Sequence, residues 1–235
     1  MSLGTIHYGK ESIRYHVLYC SRKTLAIEVH PDSSVVIKAP KATSLDEIQL
    51  KVSKRARWVI KQLQYFHQFE PRTPERCFIG GETHLYLGKQ FRLKVSEAGK
   101  DSVKLLRGYF VVETSTSAHP DKVRLLLERW YGEKAASIFQ ESFEGCWRHF
   151  EPLGLARPQM KIRRMKKRWG SLSSNGQLTL NTDLIRAPKE CIEYVITHEL
   201  CHLQCHDHSG DFYSLLEKMM PDWEKRKHKL ELALV

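Results

Sequence analysis

The chain has 235 residues, 41% of them hydrophobic and 28% charged, which suits one medium-sized domain or two small ones and excludes a disordered or fibrous polypeptide. Its longest apolar runs, such as Leu125-Leu126-Leu127, are too short to cross a bilayer, so no membrane-spanning helix is expected. A net charge of +11 makes nucleic acid a possible partner, although charge alone is weak ground because many basic proteins bind none.

In chain order, Leu25, Ile27 and Val29 alternate with polar residues, Pro31-Asp32-Ser33-Ser34 offers a turn, and Val35, Ile37 and Ala39 alternate again, which reads as a hairpin. Ser44-Leu45-Asp46-Glu47 is a capping box that opens one helix, with Ile48, Val52, Val59, Ile60 and Leu63 as its apolar stripe through about Phe66. Leu85 and Leu87 precede a turn at Gly88-Lys89, Phe91, Leu93 and Val95 follow it, and Tyr109 to Glu113 reads as a further strand. After Ser115-Thr116-Ser117 the pattern turns helical. Pro120 opens a long helix with Val123, Leu126, Leu127, Trp130, Ile138 and Phe139 facing a core. Two short strands are expected around Met160–Ile162 and Gln177–Asn181, with Asn175-Gly176 as a turn signal. No internal repeat is visible. The fold class is therefore α+β, with a β-rich region of residues 1–115 carrying one helix and a second domain of residues 116–235.

The segment opened by Pro188 concentrates the chemistry. Ile192, Val195, Ile196, Leu200 and Leu203 form one apolar stripe at helical spacing. On that helix His198 and His202, four apart, lie about 40° apart around the axis, so their rings can converge on one ion. Glu199 points to one side of the pair, within reach of a water polarised there, which is why metalloprotease chemistry uses His-Glu-x-x-His on a helix. A catalytic zinc needs three protein ligands and one open position. Cys205, His206, Asp207 and His208 are the candidates for the third. On an unbroken helix His208 would stand about 15 Å beyond His198, so the helix must end near residues 205–207 and turn back. Ser209 then caps a new helix with Phe212, Leu215, Leu216, Met219 and Met220 on one face, and Pro221 stops it. His208, at the start of that helix, is well placed to swing back, and His206 is its main competitor. The six cysteines include no Cys-x-x-Cys pair, which argues against a disulfide framework and a four-cysteine zinc ribbon. Cys201 reads as small core packing rather than a ligand. Met1-Ser2-Leu3-Gly4 carries no basic patch followed by an apolar stretch, so no secretory leader and a cytoplasmic location are expected.

At these residues the chain resembles the YgjP-like metallopeptidase family. The likeness runs through Lys167-Arg168-Trp169-Gly170-Ser171, Leu178-Thr179-Leu180-Asn181, Tyr194-Val195, His198-Glu199-Leu200-Cys201-His202-Leu203, His208-Ser209 and Pro221-Asp222-Trp223. It extends into the first half through Arg57-Trp58-Val59, Gly81-Glu82-Thr83 and Leu85-Tyr86-Leu87-Gly88. The resemblance implies a zincin-like catalytic domain, a third metal ligand ten residues after the first, which is His208, and kinship with SprT-type and Spartan-type proteases that act on proteins crosslinked to DNA. Leu172, where a Cys is common, and Tyr213, where a Trp is common, depart from the pattern.

The reading that follows is a zinc-dependent hydrolase, a metallopeptidase cleaving protein or peptide substrates. One Zn²⁺ per chain would sit on His198, His202 and His208, with Glu199 as general base. A strand near Leu178–Asn181 is expected to line the cleft and pair with an extended peptide. Arg164, Lys166, Lys167 and Arg168 form a basic run that could meet phosphates, beside Trp169, which could stack on a base; Tyr213 is offered as an oxyanion donor. Lys225-Arg226-Lys227-His228-Lys229 reads equally as the polar face of a last helix. Two other readings stand beside this one. A nucleic-acid-binding module with a structural zinc would have no use for Glu199, whereas a metal-dependent amide or ester hydrolase would use the same water activation. Oligomeric state is not legible.

Overall fold

A computed structural model of the chain describes residues 2–9, 11–30, 33–67, 76–166 and 168–234. It divides into two compact units, residues 1–73 and 74–234.

In the first unit, strands β1 (Ser2–Tyr8), β2 (Glu11–Cys20), β3 (Ala26–Val29) and β4 (Val35–Pro40) form one sheet of order β1-β2-β4-β3. The expected hairpin is the antiparallel pair β3/β4, with its Pro31-Asp32 turn outside the described residues. β1 and β2, which the reading of the sequence did not anticipate, pair antiparallel, and β2 runs parallel to β4. Helix α1 (Leu45–Lys54) starts as expected, with Ser44 Oγ accepting from the Glu47 amide at 3.2 Å. The single helix expected through Phe66 is two. Arg55 leaves helical geometry at φ −107°, ψ 5°, and its amide donates to Val52 and Ser53 carbonyls, a tightened turn that ends α1 before α2 (Ala56–His67) begins. Ile48, Val52, Ala56 and Val59 still enter one core with Ile13, Val17, Val35 and Ile37.

The second unit opens with β5 (Thr83–Tyr86), β6 (Lys89–Glu97), β7 (Ser102–Leu106) and β8 (Tyr109–Thr114), in the order β5-β6-β8-β7. This repeats the pattern of the first sheet: two antiparallel hairpins joined by a central parallel pair, then a helix. Helix α3 (Pro120–Phe150) follows and buries Val123, Leu127, Trp130, Phe139 and Phe143. Leu93, Phe110 and Val112 of the sheet share that core, and Phe110 meets Trp130 edge-on at 5.0 Å between ring centroids. The division therefore falls at residues 73/74 rather than at the expected 115/116, because strands β5–β8 pack with α3 and not as part of the N-terminal unit.

A second sheet in this unit has the order β10-β11-β9, from β9 (Gln159–Arg163), β10 (Gly170–Leu172) and β11 (Gln177–Asn181). Helices α4 (Lys189–Cys201), α5 (Gly210–Met219) and α6 (Trp223–Leu234) complete the chain. The β5/β6 turn fixes the approach to α4. Leu87 and Gly88 adopt φ of 48° and 76°, and their amides donate to the Ile185 and Arg186 carbonyls just before the helix. A side chain at Gly88 would come within 2.6 Å of Pro188, so glycine is required there by both conformation and space. Among the described residues, no helix is long and apolar enough to cross a membrane.

Candidate metal centre

Helix α4 buries Ile192, Val195, Ile196 and Leu200 in the core of the second unit, which leaves one narrow face toward a cleft. It ends sooner than the expected 205–207. From Cys201 onward the amides of His202, Leu203 and Gln204 donate three residues back, to Glu199, Leu200 and Cys201. This tightening makes His202 the C-cap and lets the chain reverse before α5. Ser209 stands at the α5 N-cap as expected, but its side chain makes no capping bond.

The reversal returns His208 to the α4 histidines. Ring centroids lie 5.3 Å apart for His198 and His202, 5.1 Å for His198 and His208, and 4.8 Å for His202 and His208. Among the described residues these three are the histidine, cysteine or acidic groups placed to share a cation, their ligand atoms lying within 4.8 Å of one another. His206 lines the same cleft and is exposed, outside this cluster. Phe212 of α5 seats the trio, its ring centroid 4.7–4.9 Å from each imidazole.

Electrostatics favour neutral rings at His198 and His208. Burial, then the charge of the other two histidines, pulls His198 down to about 4. Burial and His202 also lower His208. The Nε2 atoms of His198 and His208 stand 3.1 Å apart, and His202 Nδ1 lies 2.9 Å from the Cys205 carbonyl oxygen, to which it can only donate. That bond leaves the His202 Nε2 lone pair turned inward. Imidazole nitrogens that converge without a carboxylate fit zinc or a similar borderline-soft cation and suit calcium or magnesium poorly. His198 Nδ1 is buried and without a hydrogen-bond partner among the described residues.

Glu199 is buried at the foot of the cleft, where burial raises its carboxyl to about 7 against the lowering effects of the Leu172 amide and the Arg168 charge. Gly170 makes room for it: a Cβ there would stand 2.8 Å from Glu199 Cγ and 2.9 Å from Oε1. Gly170 and Leu172 belong to β10, which the sequence did not reveal as a strand. The strand at Leu178–Asn181 is not the substrate-pairing edge expected of it. β11 is the middle strand, bonded to β10 on one side and β9 on the other, and offers no free edge; β10 is the edge that lines the cleft. The Trp169 carbonyl accepts from the Asn181 amide and the Ser173 amide donates to the Gln177 carbonyl, so by alternation Gly170 and Leu172 turn their backbone groups away from β11.

The remaining expected contacts scatter. Arg168 lines the cleft with Arg157, Ser171 and Ser173. Arg164 is engaged elsewhere, with Glu128 at 2.8 Å and Asp183 at 3.3 Å. Lys166 is exposed, and Lys167 lies outside the described residues. Trp169 packs partly into the core beside a smaller pocket that borders His198 and Glu199. Tyr213 is 6.4 Å from the His208 ring and 5.5 Å from Trp223, outside the cleft lining. Arg226 and Lys229 pair with Glu193 and Glu190 of α4, as the polar face of a last helix would. Asn181 was not singled out from the sequence. Buried, it donates from Nδ2 to the Met165 and Arg168 carbonyls at 2.8 and 2.9 Å and holds the loop entering β10.

Three converging imidazoles beside a buried carboxyl group in an open cleft suit the chemistry of a metal-dependent hydrolase. The YgjP-like metallopeptidase domain matches residues 23–233, and the chain belongs to that family. Two solved structures are similar to part of it. The metallopeptidase zymogen of Pyrococcus abyssi abylysin is 25% identical over 41% of this chain and 94% of that one, with a TM-score of 0.37. The metallopeptidase zymogen of Methanocaldococcus jannaschii jannalysin is 21% identical over 43% and 89%, with a TM-score of 0.34. No curated protein matches the chain.

Proposed function

We propose that the protein is a zincin-like, zinc-dependent peptidase in which His198, His202 and His208 hold one zinc ion and Glu199 moves the proton. The observation that carries this reading is the return of His208 to the two α4 histidines with Glu199 buried beside them. A zinc ion held there supplies Lewis acidity, polarising a carbonyl and acidifying water. Glu199, fixed by the Leu172 amide and with no side chain at Gly170 to displace it, takes a proton from the attacking water on its carboxylate. It then returns that proton to the leaving amine. The charge of a bound cation would draw the Glu199 carboxyl back below 7, toward the ionised form that a base requires.

The free side of β10 suits an extended peptide. Leu172, part-exposed, keeps its carbonyl on that side, and a peptide laid alongside would add a strand within reach of Glu199. This geometry favours a peptide over a small amide or ester, which would have no use for a strand edge.

The test has two parts. Purified protein should contain one zinc per chain, and the His198→Ala/His202→Ala double variant should contain none. Glu199→Gln should keep its zinc and lose hydrolysis of unfolded protein substrates by at least about a hundredfold, given that general acid–base catalysis contributes roughly 10²–10⁴. Hydrolysis retained in Glu199→Gln would remove Glu199 from the mechanism.

A further inference from the structure

One concavity of the first unit lies far along the chain from the metal centre. It is a cavity of about 540 Å³ lined by Lys23, Thr24, Leu25, Ile27, Lys51, Lys54, Arg55 and Trp58. Every residue in this lining belongs to the unit of residues 1–73. The volume falls within the roughly 300–1,000 Å³ of ordinary small-ligand sites. Its floor is apolar, from Leu25 and Ile27 beside β3, while four cations stand around it and no acidic residue does. Lys51 is bonded to Glu47 at 2.7 Å, but among the described residues Lys23, Lys54 and Arg55 form no ion pair. The unit as a whole carries twelve Lys and Arg against six Asp and Glu.

Trp58 distinguishes this cavity from an ordinary basic surface. It stands in the first turn of α2, and 42% of it is exposed although Ala56 and Val59 on either side are fully buried. An indole left open beside unpaired cations offers a stacking face and a charge for a phosphate at the same place. That pair of features is how sequence-tolerant single-strand sites work, because every base has a π-face and every nucleotide a phosphate. A duplex keeps its bases stacked on one another and would use the charges alone. An acidic peptide would also meet the cations, yet it brings planar groups only where its sequence includes an aromatic residue.

We infer that the cavity formed by Lys23, Lys54, Arg55 and Trp58 binds a nucleotide unit, its base against the Trp58 indole and its phosphate among the three cations. The unit can belong to a single strand or to a free nucleotide. This inference stands apart from the hydrolase reading, since none of its residues belongs to the metal centre.

The test uses the full-length protein at near-physiological salt. Binding of a labelled oligothymidylate of about ten nucleotides is read by fluorescence anisotropy, the length being within the roughly 4–16 nucleotides of known single-strand sites. Wild type is compared with Trp58→Leu, with Trp58→Phe and with Lys54→Glu/Arg55→Glu, each shown by its melting curve to be folded. The expected result is about a tenfold or greater loss in Trp58→Leu and in the double charge reversal, with Trp58→Phe retaining most of the affinity. Competition by thymidine monophosphate would identify a free-nucleotide site; competition only by the oligonucleotide would identify a strand site. Three results would overturn the inference. One is single-strand binding indifferent to both Trp58→Leu and the charge reversal. Another is equal binding of duplex. The last is displacement of the oligonucleotide by polyglutamate with equal potency, which would mark a general polyanion or acidic-peptide surface.

Discussion

At the residue scale, the two positions that most constrain the centre carry no chemistry of their own. Gly170 is required because a methyl group would sit inside the contact distance of the Glu199 side chain. Gly170→Ala should therefore fold and bind zinc like the wild type while losing about tenfold or more in kcat, as expected when a base is displaced by a fraction of an ångström. Full activity in that variant would show that Glu199 tolerates displacement. Phe212 is fully buried and touches all three imidazoles. Phe212→Ala should cost about 3–5 kcal/mol of stability in urea titration and weaken zinc binding roughly 10–100-fold. Neither role was legible in the sequence, where Gly170 was one residue of a likeness and Phe212 one member of an apolar stripe. The convergence of the His198 and His202 rings was legible because a four-residue spacing on a helix fixes their angle without tertiary information. The choice of His208 over His206 depended on where a turn closes, and one sequence does not determine that.

At the element scale, β10 is the part of the site that sequence could not reveal. Three residues, with a glycine first and five basic residues in the seven before Trp169, show no alternation to recognise. The strand exists because Asn181 fastens the preceding loop and β11 supplies a ladder, both tertiary facts. Asn181→Ala should free that loop and leave the part-buried Met165 and Arg168 carbonyls short of donors. It should raise KM for peptide substrates more than it lowers kcat, while zinc content stays at one per chain. An equal fall in kcat and kcat/KM would instead place Asn181 in the chemical step. The long helix and the hairpins were read correctly in kind because their periods are strong. The break at Arg55 was missed because neither proline nor glycine marks it, and the apolar stripe runs on through it.

At the scale of the molecule, the change in character near residue 116 marks the end of a sheet rather than the end of a unit. Residues 74–235 should thus fold alone and take up one zinc, which a metal assay of that fragment would check. The stability of the second unit should also depend on pH through His84, which is 3% exposed and 3.0 Å from Glu82. Burial lowers the His84 pKa from 6.5 despite the neighbouring carboxylate. Above 6.5 neither folded nor unfolded His84 is protonated, and its contribution is complete. As pH falls below 6.5 the unfolded chain takes up a proton that the folded chain resists, so stability declines. Urea midpoints at pH 7.5 and 5.5 should show that decline, and it should be smaller in His84→Gln. The two four-stranded sheets share one strand order with no repeat in their sequences, a recurrence of topology without a recurrence of residues.

That shared order bears on how the chain acquires its structure. Each of the three sheets contains a single parallel pair, with His16 opposite Val36, Arg92 opposite Tyr109 and Gln159 opposite Gln177. Every such pairing closes a loop of only about twenty residues, a small entropic cost, and the antiparallel partners are nearer still. Each sheet can consequently zip up within a short stretch of nascent polypeptide, in the order in which it leaves the ribosome. His208 emerges after the eleven strands of the described residues, so if it completes the proposed centre, the last group reaches a scaffold that is already built and metal uptake would be a late event in the life of the chain.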